Sequence, residues 1–233
     1  YASRAVGGAG LIIQEATAVE PRGRNSSRDL GLWNEEQAAA LAPIVAALLE
    51  HGAVPFVQLA HAGRKARVPG AIGPSPLPFE EMPVPQEMGP GELKDVVAAF
   101  ERSARLALSA GFQGIEVHAA HGYLLHSFLS PLSNQRAGEY GGSLQNRSRL
   151  LRQVVETVRS AWPEHLPVFV RISATDWIEG GWDIDESVEV ARMLRDLGVD
   201  LVDVSSGGLS LRQQVRLEPG YQVPFADRVR RDA

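Results

Sequence analysis

The stretch Gly111-Phe112-Gln113-Gly114-Ile115-Glu116-Val117-His118-Ala119-Ala120-His121-Gly122-Tyr123 reads as a short buried strand that ends in reactive side chains. On a strand, residues two apart share a face, so Glu116 and His118 point together while Ile115 and Val117 point away. Just past the strand come a second imidazole, His121, and a phenol, Tyr123. Imidazoles can grip a carbonyl oxygen, shuttle a proton or ligate a metal. A phenol held close to a reacting carbon can donate a proton. Three readings of His118 and His121 stay open on spacing alone. They are satisfied polar residues at a strand end, half of a metal shell, or two nitrogens that bind a substrate carbonyl or anion with Tyr123 as acid. Neither HExxH nor HxH occurs, which counts against the metal.

Working outward, Leu11-Ile12-Ile13-Gln14-Glu15 reads as a parallel strand buried on both faces. Pro21 to Trp33 reads as a loop, and Asn34 as the N-cap of a helix carrying Leu41, Ile44, Val45, Leu48 and Leu49 on one face. Gly52 stops that helix and Val54 to Leu59 forms a strand. From His61 a long loop runs through the proline-rich stretch Pro69 to Pro90, as a lid or an edge segment. Val96, Val97, Phe100, Ala104 and Leu108 mark the next helix, stopped by Gly111. Beyond the central strand an extended loop is expected to about Ser143. There follow a helix with Leu151, Val154, Val155 and Val158, a strand from Pro167 to Ile172, a helix from Asp185 to Leu197 stopped by Gly198, and a strand from Asp200 to Val204.

Strands and helices thus alternate about five times, the pattern of parallel βα units. An open doubly wound sheet and a (β/α)8 barrel both produce it. Each strand ends in polar groups: Glu15, Gln58, Glu116 with His118, Arg171, and Asp203 with Ser205 and Ser206. That distribution favours the barrel, whose sites are built from several strand ends. Five strands are too few to close a barrel of eight. Tyr1 to Ala5 reads as the last turn of a helix, and Arg228 to Ala233 stops inside a helical pattern without a C-cap glycine. The expectation is one domain over residues 1–233, truncated at both ends.

Composition narrows the function classes. The 233 residues carry a net charge of -5, with 44% apolar and 22% charged residues, as in an ordinary globular protein. Basic residues are scattered, so no nucleic-acid partner is expected. No apolar run suits a bilayer span and no signal peptide is visible, so no membrane partner and a cytoplasmic location are expected. Without cysteine, disulfides, thiolate metal sites and cysteine-ligated iron–sulfur clusters are excluded in this span. Arg171, inside a strand, needs an anion: a structural partner among Glu15, Glu116 and Asp203, or an anionic cofactor. Gln58 needs hydrogen bonds that a heterocycle could supply. No G-x-G-x-x-G or Walker sequence is present, and Trp177 and Trp182 read as loop packing.

Together the motifs resemble the old yellow enzyme family of FMN-dependent NADPH dehydrogenases and ene-reductases, most closely its bacterial thermophilic-like branch. The residues that carry the likeness are Gln58 to Lys65, His118 to Leu124, Phe128 to Asn134 with Arg136, Glu139 to Ser143, Asn146-Arg147, Val170 to Ala174, Ser205 to Gly207 and Gly220 to Val223. The resemblance implies an FMN-binding (β/α)8 TIM barrel, of which about strands 2 to 6 are present. It implies that Ala16 and Gln58 contact the flavin, and that Arg171 stabilises its anionic reduced form. It further implies that His118 and His121 hold the carbonyl oxygen of an enone or related electron-poor alkene, and that Tyr123 protonates the α-carbon. NADPH would reload the flavin at the same site. The phosphate-gripping strands would lie outside this chain, so weak FMN binding or none is expected, and the intact parent is expected to be a homo-oligomer. Two rivals are a cofactor-free, inactive barrel fragment and a dienoyl-CoA-reductase-type flavoenzyme, the latter disfavoured by the lack of cysteine.

Overall fold

A computed structural model describes residues 1–233. Helix α1 (Ala2–Val6) leads into β1 (Leu11–Ala18), followed by α2 (Glu35–Glu50) and β2 (Val54–Ala60). After β2 comes a long segment containing a small ribbon, β3 (Ile72–Gly73) with β4 (Gln86–Glu87). The chain continues through α3 (Pro90–Ser109), β5 (Gly114–Ala119), α4 (Leu124–Leu129), α5 (Leu144–Arg147) and α6 (Arg149–Ala161). It ends with β6 (Val168–Ser173), α7 (Ile184–Asp196), β7 (Leu201–Ser205) and α8 (Val223–Asp232). No helix is long and apolar enough to cross a membrane.

Five strands form one parallel sheet in the order β1-β2-β5-β6-β7. Each new strand is added on the same side of the last. A doubly wound sheet reverses this order at a switch point, whereas a barrel wall does not. The helices follow suit, α2 touching α3, α3 touching α6, α6 touching α7 and α7 touching α8 in an outer row. The fold is a stretch of barrel wall.

The core lies between this wall and the helices. Val57, Leu59, Ile115, Val117, Val168, Val170 and Ile172 face the helices and are fully buried. The opposite, inner face holds Phe56, Gln58, Glu116, His118, Phe169, Arg171 and Asp203 by strand register. Its lower part is closed by Phe56 and Phe169, ring centroids 4.7 Å apart, a contact worth about 0.5–1.5 kcal/mol beyond its buried area. Gly114 is required there, since a Cβ would sit 2.1 Å from Cζ of Phe56. Polar groups occupy the upper part.

Asn34 caps α2 as expected, its side chain accepting from the Gln37 N–H at 2.9 Å. Two expectations are corrected. The loop foreseen to Ser143 contains α4, whose six residues are all buried, leaving no polar face and hence no amphipathic period to read. Strand β1 was expected to be buried on both faces, yet Leu11 is 43% exposed, because β1 pairs with a neighbour on one side only. It also bulges: between Gln14 (opposite Val57) and Thr17 (opposite Leu59), Glu15 and Ala16 together face the single Gln58.

Candidate active site

At the end of β5 the backbone turns sharply. His121 adopts φ +57° and Gly122 φ +72°, left-handed conformations that cost a non-glycine residue about 1–3 kcal/mol. Gly122 cannot be replaced without displacement, since a Cβ would lie 2.6 Å from the Gly208 carbonyl oxygen. Contacts from three directions hold the turn. The His121 N–H donates to Ser173 Oγ at 2.9 Å, at the end of β6. Lys65, from the segment after β2, donates to the His121 carbonyl at 2.8 Å and to the Gly208 carbonyl after β7. The Gly122 N–H donates to His126 Nδ1 on α4 at 2.8 Å.

This turn brings His118, His121 and Tyr123 together. The two imidazole centroids are 5.2 Å apart, and the Tyr123 ring stands edge-on to His118 at 4.9 Å and 89°. His118 Nδ1 is buried with no partner. His121 Nε2 lies 2.7 Å from Ser205 Oγ at the end of β7. Burial, then the nearby His121 and Arg171, pushes the His118 pKa well below the usual imidazole range. Burial, then Arg171, brings His121 down to about 4. Burial and Asp29 push the Tyr123 phenol up. At neutral pH all three side chains are uncharged. No third ligand converges on the histidines, and no group of three His, Asp or Glu side chains is arranged to hold a metal ion.

Beside them on the inner face, Gln58 Nε2 donates to Glu116 Oε1 at 2.6 Å. Glu116 is fully buried, and burial with Asp203 nearby raises its pKa to about 7 against the opposing pull of Gln58 and Arg171. Arg171 Nη1 lies 3.4 Å from Asp203 Oδ2. Of the anionic partners foreseen for it, Asp203 is the one in reach, and Glu15 is exposed at the bulge. Arg171 is also less buried than its place in a strand implied: its side chain is 34% exposed, reaching over the inner face. Ala16 adjoins Gln58 across the bulge.

The long segment after β2 crosses the strand ends. Arg64 donates to the Leu209 carbonyl at 2.8 Å, and Glu80 accepts from the Leu211 N–H at 2.9 Å. A cleft of about 1020 Å³, lined by Val68, Pro69, Phe79, Met82, Val84 and Leu211 among others, runs along this segment and not over the histidines. Sequence reading had assigned no role to Lys65, His61, His126 or Asp176, all of which brace the rim. Trp182 is fully buried, as its packing reading implied.

The profile of the NADH:flavin oxidoreductase / NADH oxidase family matches residues 1–223. An NADPH dehydrogenase of Listeria innocua is 50% identical over 235 aligned residues, which span 100% of this chain and 69% of that relative. The old yellow enzyme homologue of Zymomonas mobilis superposes with a TM-score of 0.81 at 29% identity, covering 100% of this chain and 68% of that one. A 2-naphthoyl-CoA reductase in complex with 2-naphthoyl-CoA superposes at 0.92 with 27% identity, over 99% of this chain and 38% of that one.

Proposed function

This chain belongs to the NADH:flavin oxidoreductase / NADH oxidase family, and on that premise we propose that it uses NADPH to reduce FMN and then reduces the activated C=C bond of α,β-unsaturated carbonyl compounds. The observation that carries the reading is the pair of neutral imidazoles, His118 and His121, with Tyr123 edge-on beside them at the inner-face rim.

The residues present fit the cofactor. Glu116 Oε2, His118 Nδ1 and Arg171 Nε are buried polar atoms without partners on one face, a set that a planar heterocycle with its substrate would satisfy. Gln58 donates an amide N–H to Glu116, so its carbonyl oxygen would be available to a donor on the ring. Arg171, held only by a 3.4 Å ion pair, is free to offer N–H groups to an electron-rich edge. Ala16 supplies a small side chain beside Gln58. When bound, FMN supplies the two-electron chemistry, storing a hydride equivalent between NADPH and the alkene.

His118 and His121 act on the substrate carbonyl. Their N–H groups draw electron density toward the oxygen, so the β-carbon becomes electrophilic, and they bind the oxygen more strongly as enolate charge develops. Neutral donors suit this task because they need no proton from solution near pH 7. Tyr123 gives its phenolic proton to the α-carbon, and the raised pKa keeps that proton in place until it is needed. A hydride at the β-carbon and a proton at the α-carbon complete the saturated product. A CoA thioester offers the same conjugated carbonyl, and the likeness to 2-naphthoyl-CoA reductase makes it the second substrate class to try.

Anaerobic NADPH oxidation with added FMN tests the reading. Cyclohexenone is expected to accelerate it, and more than an unsaturated CoA thioester does. No acceleration by either carbonyl compound sinks the proposal.

A further inference from the structure

We propose that Asp176 and His126 form a positioning pair that fixes the His121–Gly122 turn through a single imidazole tautomer. The proposal rests on the reading of His118 and His121 as a carbonyl clamp, and neither residue of the pair touches the substrate.

The peptide unit joining His121 to Gly122 is gripped at both ends. Its carbonyl accepts from Lys65 at 2.8 Å, and its N–H donates to His126 Nδ1 at 2.8 Å. Together these fix the plane of the peptide that follows the His121 side chain, in a left-handed backbone conformation uncommon outside glycine. Because Nδ1 accepts a hydrogen bond, it carries no proton, so the His126 proton sits on Nε2. Nε2 lies 3.0 Å from Asp176 Oδ1. The pair makes no aligned hydrogen bond, and the attraction is that of a carboxylate for the N–H dipole.

Asp176 is held in the orientation this requires. Its Oδ2 accepts from Ser130 Oγ at 2.6 Å and from the Trp182 N–H at 2.8 Å, leaving Oδ1 for His126. Both side chains are fully buried. Burial opposes the charge, but bonds from His126, Ser130 and the Trp182 N–H hold the Asp176 carboxyl below its usual range.

The same wiring occurs a second time. His61 Nδ1 accepts from the Gly63 N–H at 2.9 Å, and its Nε2 lies 2.9 Å from Glu20 Oε1. Gly63 has φ +60°, and the Leu124 N–H donates to the His61 carbonyl at 2.9 Å, so the two units brace adjoining loops. Two carboxylate–imidazole–glycine amide chains at neighbouring strand ends identify a shared way of holding left-handed turns.

Asp176→Asn reverses the wiring. The Trp182 N–H requires the retained oxygen on its side, so the new amide N–H₂ faces His126 Nε2. Nε2 must then accept, the proton moves to Nδ1, and Nδ1–H opposes the Gly122 N–H. His126→Asn places a carbonyl oxygen near the Nδ1 position and keeps an acceptor for Gly122, whereas His126→Leu keeps none.

The test uses FMN-loaded protein and nitrogen-15 NMR of the imidazoles. In the wild type, His126 Nδ1 is expected to be the unprotonated nitrogen. In Asp176→Asn it becomes protonated, the His121 ring resonances shift, and enone-dependent turnover falls about 10²-fold, the scale of an ångström's misplacement. His126→Asn should recover turnover and His126→Leu should not. A wild-type His126 protonated on Nδ1, or unmoved His121 resonances in Asp176→Asn, overturns the positioning role. That readout does not depend on activity: loss of the carbonyl-clamp reading shows instead as a wild type that ignores enones. If Asp176→Asn does not fold, the contrast between His126→Asn and His126→Leu decides, and equal His121 shifts in those two overturn the role.

Discussion

His61 and His126 differ from His118 and His121 in what their nitrogens touch, and burial does not separate them from His118. His61, His126 and His118 are all at most 4% exposed. Both ring nitrogens of His61 and of His126 face a partner, one a glycine N–H and one a carboxylate, although His126 Nε2 meets Asp176 at ion-pair distance without an aligned hydrogen bond. His118 has a buried nitrogen with no partner, and His121 is tied only through Nε2 to Ser205. An unmet buried polar group costs about 1–3 kcal/mol. A protein that closes two imidazoles and leaves two open on the same rim marks the open pair as the place where something else binds.

The largest effect expected from this contrast is on turnover. His118→Ala or His121→Ala should lower enone-dependent turnover about 10²–10³-fold, as loss of a preorganised donor to a developing oxyanion does. For His118→Ala thermal stability should change little, since His118 gives up no bond to the protein. Steady-state rates beside melting curves check this. A variant that melts early but turns over normally would place His118 with the closed pair.

Stability should respond in the opposite way at the closed pair. His61→Leu strands the Gly63 N–H and leaves Glu20 with Arg22 alone, at a cost of about 1–3 kcal/mol. Chemical denaturation measures it, with turnover of the folded enzyme much less affected than in His118→Ala. If His61→Leu loses turnover without losing stability, the division between closed and open histidines fails.

How much of this could be read in the sequence depends on how far apart the partners lie. His118, His121 and Tyr123 fall within six residues at the end of one strand, so local spacing placed them on one rim. The βα alternation and the polar strand ends gave the barrel wall in the same way. The closed histidines were illegible because their carboxylates are remote: Glu20 lies 41 residues from His61, and Asp176 sits past the next strand from His126. Helix α4 was missed because Leu124 to Leu129 are buried on every side, which removes the polar face that makes a helix visible. The partial exposure of Arg171 is illegible because strand position alone does not say whether the inner face is covered. A histidine shortly after or before a glycine at a strand end was the one available hint of a brace, and it carries no sign of the carboxylate.

The same contrast extends to carboxylates. Asp176 has donors on Oδ2 and the His126 N–H dipole at Oδ1, and its pKa is lowered. Glu116 is as deeply buried, but Oε2 has no donor, and its pKa is raised to about 7 from 4.5. Between those two values the folded protein holds a proton at Glu116 that the unfolded chain has released. Stability therefore falls as pH rises through that window, by up to about 1.4 kcal/mol per pH unit from this group. Glu116→Gln imitates the protonated acid and cannot lose the proton. Its stability relative to wild type should climb from pH 4.5 to about 7 and level off above it. Melting curves across that range read the difference directly, with the other titrating groups cancelling between the two proteins. A difference that is flat with pH would mean that Glu116 is ionised in the fold and has found a donor, which would move it from the open set to the closed one.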